Sequence, residues 1–263
     1  MVTDASEKRF EADIESFFLS PAGGYTKGAD TYDAKQGLYV NTLIDFVQRT
    51  QPKEWARFEN ANQVDPVRKF CTAFNNACDA DGLLSVLRYG FKHRGRRFRV
   101  CYFQPESALN QKDAQRYAQN EITCNRQWFY SDTTHNSVDM VLAVNGIPVF
   151  AFELKNQFTG QTVENAKQQW MHDRDPREVC FQFNKRILGY FCVDLTEVWM
   201  ATRLAGKDTR FLPFNQGSNG AGRDGGAAEP RTVQKRFARL AGKTGIRGAH
   251  MHTLRHTFAM RCL

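Results

Sequence analysis

The sequence predicts an α/β fold, with a mixed central β-sheet flanked by helices. Three observations carry that expectation. Residues 138–144 and 148–154 are nearly continuous apolar runs, rich in β-branched and aromatic residues, as strands covered on both faces are. Asn145-Gly146 between them is the strongest short turn signal. Helical periodicity dominates the chain up to residue 89, and short strand-like runs return after residue 179.

In chain order, residues 6–19 read as an amphipathic helix with Phe10, Ile14, Phe17 and Phe18 on one face. Asp4-x-x-Glu7 supplies a start, and Pro21 with Gly23-Gly24 an end. A second helical stretch spans residues 38–58, and two more span 67–77 and 83–89, separated by Asp79-Ala80-Asp81-Gly82. Residues 88–99 pack six Lys/Arg and His93 around Phe91 and Phe98; the run suits either phosphate contacts or a solvated loop entering a strand at 98–103. Residues 121–130 predict a strand leading into the central hairpin. In it Arg126 and Trp128 read either as phosphate-neutralising and stacking groups or, for Trp128, as core. A helix follows at 162–172 with Val163, Ala166 and Trp170 on its buried side, then short strands at 179–183, 187–193 and 197–202, and residues 211–215 close the domain.

A chain of 263 residues buries a substantial core and allows one or two domains. No apolar run approaches the ~20 residues of a membrane span, and the N-terminal residues lack the apolar segment of a secretion signal. Seven cysteines, odd in number and without Cys-x-x-Cys spacing, read as reduced thiols of a cytoplasmic protein, several in its core. Net charge is +8, but residues 219–263 hold nine Lys/Arg against two acids, while residues 1–218 hold 27 against 26. The high pI is therefore a property of the tail, and the body is nearly neutral.

The central hairpin carries three charges that a plain core hairpin would not: Asp139, Glu153 and Lys155. Glu153 and Lys155 are two apart and share a strand face. A strict two-residue turn pairs Val144 with Ile147 and sends Asp139 to the other face. A three-residue loop with a glycine bulge, or a bulge elsewhere in either strand, sets Asp139 opposite Glu153 with Cβ atoms roughly 5 Å apart. Two carboxylates that close repel unless a proton or cation lies between them, and Mg²⁺ held by carboxylates and waters fits. Lys155 beside them is placed to orient or polarise a water attacking a phosphodiester.

Asp139, thirteen intervening residues and Glu153-Leu154-Lys155 resemble the Asp…Glu-x-Lys signature of restriction-endonuclease-like nucleases. The flanking strings are more specific. Residues 120–127, Val138-Asp139, Asn145-Gly146-Ile147-Pro148, Glu153 to Asn156, Thr159 to Thr162, Thr202 to Lys207 and residues 211–215 resemble the N-terminal nuclease region of the restriction (R) subunit of type I restriction-modification enzymes. The resemblance covers roughly residues 5 to 220. It implies a restriction-endonuclease-like core and a Mg²⁺-dependent endonuclease acting on double-stranded DNA. It also implies methylation and specificity subunits as partners, with no membrane association. Asp139 and Glu153 would be metal ligands and Lys155 the catalytic lysine. A first-helix glutamate often completes such sites, and Glu11 matches that position best, ahead of Glu15. Past the Glu-x-Lys strand such nucleases offer a glutamine and, four residues later, a tyrosine. Here Gln168 and Gln169 are present, followed at that spacing by His172 and Asp173, and Gln169 is carried over as the further site residue.

The expected domains are a nuclease domain at 1–216, a Gly-rich linker at 217–230 and a basic tail at 231–263. The tail resembles a tyrosine recombinase fragment, with His252 and Arg255 matching two active-site positions and no room for the rest, so it is read as non-functional. Gly242-Lys243-Thr244 lacks the earlier glycine of a phosphate-binding loop, where Phe237 stands. The sequence thus reads as a nuclease domain truncated before the ATP-dependent motor of a restriction subunit. The alternative is a folded, non-catalytic remnant or docking module.

Overall fold

The computed structural model describes residues 7–105 and 110–214; the expected linker and tail lie outside the described residues. In chain order come α1 (Glu7–Phe18), β1 (Thr26–Lys27), β2 (Tyr32–Asp33), β3 (Leu38–Tyr39), α2 (Val40–Thr50), α3 (Pro52–Ala61), α4 (Pro66–Asp81) and α5 (Leu83–Tyr89). Then follow β4 (Phe91–His93), β5 (Arg96–Phe98), α6 (Gln111–Tyr117), β6 (Ile122–Phe129), β7 (Ser137–Val144) and β8 (Ile147–Leu154). A short 3-10 turn (Gln157–Thr159) leads to α7 (Val163–Gln168), a π-helical turn (Gln169–Asp173), β9 (Gly189–Val193), β10 (Val198–Ala201) and β11 (Leu212–Pro213).

The main sheet has the order β1-β6-β7-β8-β9-β10-β11. It is mixed: β1 runs parallel to β6 and β8 parallel to β9, and the other neighbours are antiparallel. All eight residues of β8 are buried, so the sheet is covered on both faces as its continuous apolar run predicts. One core packs α2, α3, α4 and α5 against Met140, Leu142, Val144, Phe150 and Phe152. The other gathers α7, Trp170, Phe181 and Tyr190 against Val141, Ala143 and Ala151. Six of the cysteines are free and buried. Among the described residues no helix is long and apolar enough to cross a membrane.

Three predicted elements differ. The stretch at 38–58 is a short strand and two helices, because Pro52 disfavours helical geometry at Gln51, which adopts φ −140° and ψ 53°. The predicted strand at 98–103 ends at Phe98, which closes a small hairpin by pairing with Phe91. Residues 179–183 form turns. Their apolar character serves packing, since Phe181 is buried with its ring centroid 4.6 Å from Tyr130 and 5.8 Å from Trp170.

The central turn has two residues, both with positive φ: Asn145 at 49° and Gly146 at 79°. Val144 pairs with Ile147 and Ala143 with Pro148, and then the register shifts so that Leu142 pairs with Phe150. Val149 is the extra residue. The bulge adjoins Pro148, which has no N–H to give the ladder. The turn itself is buried: the Asn145 amide nitrogen donates to the Val100 carbonyl and to Asn120 Oδ1, and Asn145 Oδ1 accepts from the Glu121 N–H at 2.7 Å. A Cβ on Gly146 would lie 2.4 Å from the Tyr39 carbonyl oxygen.

Asn145→Ala leaves the Glu121 N–H and the Val100 carbonyl without their side-chain partner. Equilibrium urea unfolding is expected to show a loss of about 2–4 kcal/mol.

Candidate active site

The shifted register decides the site. Met140 pairs with Phe152 and Val141 with Ala151, so one step further along the ladder Asp139 stands opposite Glu153. The backbone N–H of Leu154 donates to Asp139 Oδ2 at 2.7 Å, tying the aspartate across to the neighbouring strand. Glu153 is fully buried. Its Oε1 accepts from Arg174 Nε at 3.0 Å and Nη2 at 2.6 Å, while Oε2 is buried with no hydrogen-bond donor among the described residues. Lys155 is also buried. Its N–H continues the sheet by bonding to the Val193 carbonyl, and its Nζ lies 3.6 Å from Glu7 Oε1 on α1.

This packing raises both carboxyls above their ordinary range. Burial pushes Glu153 up to about 8, the negative charge of Asp139 adds to the rise, and Arg174 and Lys155 oppose it. Burial likewise raises Asp139, against the Leu154 N–H and the charge of Lys155, with Glu11 adding to the rise. A facing pair of carboxyls held above their ordinary range, one with a buried oxygen that no N–H reaches among the described residues, is a setting that a divalent cation would relieve. Among the described residues no group of three or more His, Cys, Asp or Glu side chains is arranged to hold a metal. Two carboxylates completed by waters remain a suitable set for Mg²⁺, which keeps much of its hydration.

The other expected residues are placed differently. Glu11 is buried on α1, within electrostatic reach of Asp139, but its Oε2 already accepts from Arg126 Nε and Nη2 and from Gln127 Nε2. Glu15 Oε2 accepts from Arg126 Nη1 at 3.2 Å. The acid of α1 that approaches Lys155 is Glu7, one turn before Glu11. Gln169 begins the π turn; its Oε1 is buried without a donor among the described residues. It lines a polar notch with Gln161, Asn165, Gln168, His172 and Asp173. Asp139, Glu153 and Lys155 are not in that lining.

Of the other two DNA-contact readings, Arg126 is engaged by α1, and Trp128 is buried core beside Tyr130 and Phe181. The basic run at 88–99 forms the end of α5 and the β4–β5 hairpin, where Lys92, Arg94 and Arg97 are exposed. Its Arg99 and Val100 end lies by Gln51 and Asn145, at the turn of the central hairpin. Asn145 lies six residue steps along the strand from Asp139, so the Arg99 end stands roughly 20 Å from the carboxylates.

Sequence reasoning missed Arg174 and Glu7. Nothing local marks Arg174, whose partner is 21 residues away. Glu7 carried a signal, since it lies four residues before Glu11 and hence on the same helix face.

Residues 47–217 match the family model described as type I restriction enzyme R protein N terminus, which is more than half of the chain. No curated protein matches it. The matched span includes Asp139, Glu153, Lys155, Gln169 and Arg174, and it begins within α2, after Glu7 and Glu11.

The raised carboxyl of Glu153 gives a signed expectation for stability. Its folded value of about 8 exceeds the ordinary 4.5, so between those values the native state keeps a proton that the unfolded chain releases. Stability of the metal-free protein therefore falls as pH rises through that window. Urea unfolding from pH 5 to 9 is expected to show a smaller decline in Glu153→Gln than in the wild type.

Proposed function

The chain belongs to the family of type I restriction enzyme R protein N termini, whose fold is restriction-endonuclease-like, and from that footing we propose that it is a Mg²⁺-dependent DNA endonuclease domain. The observation that supports this reading best is the one-residue bulge, which faces Asp139 with Glu153 while Lys155 follows two residues later. Asp139 and the unpartnered Oε2 of Glu153 would hold the cation. Mg²⁺ bound there would neutralise charge developing on the phosphate and favour ionisation of a water nucleophile.

The protein's own groups then have separate tasks. The Leu154 N–H fixes Asp139, and Arg174 fixes one oxygen of Glu153. Lys155 brings a permanent hydrogen-bond donor beside both carboxylates, where it orients the attacking water or stabilises a phosphate oxygen. Glu7 gives that ammonium an anionic partner from α1. Glu11 holds α1 against β6 through Arg126 and Gln127, which makes it a wall of the site. Double-stranded DNA is the substrate of this reading, and methylation and specificity subunits are the partners of the parent complex.

A second reading is a folded domain that does no chemistry. Its support is the internal charge balance: Glu153 is matched by Arg174, Lys155 by Glu7, and Glu11 by Arg126.

Nicking of supercoiled plasmid with Mg²⁺ separates the two readings. Wild-type cleavage is expected, with losses of about a hundredfold or more in Asp139→Ala, Glu153→Ala and Lys155→Ala. Cleavage that survives all three substitutions would remove this site from the chemistry. A folded wild type inert with both Mg²⁺ and Mn²⁺ would leave the second reading ahead.

A further inference from the structure

Arg174 follows the π turn, and its guanidinium is held by three segments of the fold. Nε and Nη2 both reach Glu153 Oε1 on β8. Nη2 also donates to the Ser137 carbonyl at the start of β7, at 2.9 Å. The guanidinium carbon lies 5.7 Å from the ring centroid of Tyr130, just after β6. The side chain is buried, and an arginine keeps its charge in such a place.

The pattern of the contact is informative. An arginine that simply neutralises a carboxylate commonly meets it fork to fork, one N–H on each oxygen. Here two N–H groups converge on one oxygen, and the other is left without a donor among the described residues. The bond to Ser137 keeps the guanidinium in this offset place. A glutamate has three side-chain torsions, and anchoring one of its oxygens removes the freedom that a cation would otherwise have to freeze out.

Resting on the metal reading above, we propose that Arg174 is a positioning residue for the metal site. By occupying Oε1 of Glu153 it presents Oε2, together with Asp139, to a divalent cation. Arg174 touches neither the cation nor the substrate in this role. It acts on the site as an outer partner of a ligand, a relation whose loss typically weakens metal affinity by about 10–100-fold. The opposite role, an arginine that competes with the cation for Glu153, predicts a change of the opposite sign.

The test is calorimetric titration of the full chain with Mn²⁺, repeated in competition with Mg²⁺. Wild type, Arg174→Met, Arg174→Lys and Glu153→Gln are compared, each checked for cooperative unfolding. The expected result is a Kd about tenfold or more weaker in Arg174→Met. Arg174→Lys should fall between, because one ammonium reaches Oε1 without also holding Ser137. In the Glu153→Gln background Arg174→Met should add no further loss, a coupling that general destabilisation would not produce. An unchanged Kd in the arginine variants, with wild type binding Mn²⁺, overturns this inference alone. A tighter Kd overturns it in favour of competition. Absence of Mn²⁺ binding by the wild type overturns the metal reading and this inference with it. Should Arg174→Met not fold, Arg174→Lys decides, and a Kd within twofold of wild type counts against the proposal.

Discussion

The structure depends on one extra residue in one strand. Side chains alternate across a sheet with a period of two, so a hairpin that kept its turn register would put Asp139 and Glu153 on opposite faces. The turn cannot absorb the slip. Asn145 is hydrogen-bonded on both sides of its amide, and Gly146 sits against the Tyr39 carbonyl with no space for a Cβ. The shift therefore falls just beyond it, at Val149, beside a proline that lacks a ladder donor. That bulge turns a buried apolar hairpin into one with two facing carboxyls and leaves the strand apolar elsewhere.

The consequence is a concentration of charge in a covered place. Burying an ion is costly unless it is paired, and the fold pairs these ions by reaching outside the hairpin. α1 supplies Glu7 to Lys155, and the segment after the π turn supplies Arg174 to Glu153. The matching is uneven: Glu153 Oε2 has no donor among the described residues, and both facing carboxyls are held above their ordinary range. A site shaped for stability alone would be better served by apolar side chains of similar volume. Strain of this kind is the ground on which the pair is a candidate site, because perturbed carboxyls cluster at functional positions.

Much of this was legible in the residues, and the limits have physical causes. The double-sided burial of 138–144 and 148–154 follows from their unbroken apolar character, and α5 and the first helix follow from their periodicity. The juxtaposition of Asp139 with Glu153 was legible only as alternatives, because turn type and bulge position both set register and Asn-Gly fixes only the first. The run at 179–183 looked like a strand because packing in a loop uses the same aromatic residues as a sheet core. Arg174 had no local trace, since a contact made across 21 residues is written in the fold and not in spacing. The basic run at 88–99 shows the converse. It stands out in composition, yet the fold carries its Arg99 end to the far end of the hairpin from the carboxylates.

The matched family span starts at residue 47, but the site's surroundings do not. α1 lies before that span and still brings two acids to the hairpin, four residues apart and so on one helix face. They are not equivalent. Glu11 Oε2 accepts from Arg126 and Gln127, and Glu15 joins it on the same guanidinium, which fastens the helix to β6. Glu7 is set by that fastening, one turn nearer the helix start, with its Oε1 3.6 Å from Lys155. Anchoring and charge pairing are thus divided between successive turns of one helix. Glu11 fixes the helix to the sheet, and Glu7 supplies an anionic partner to Lys155. The position of α1 therefore sets the surroundings of Lys155, even though its most buried acid faces an arginine.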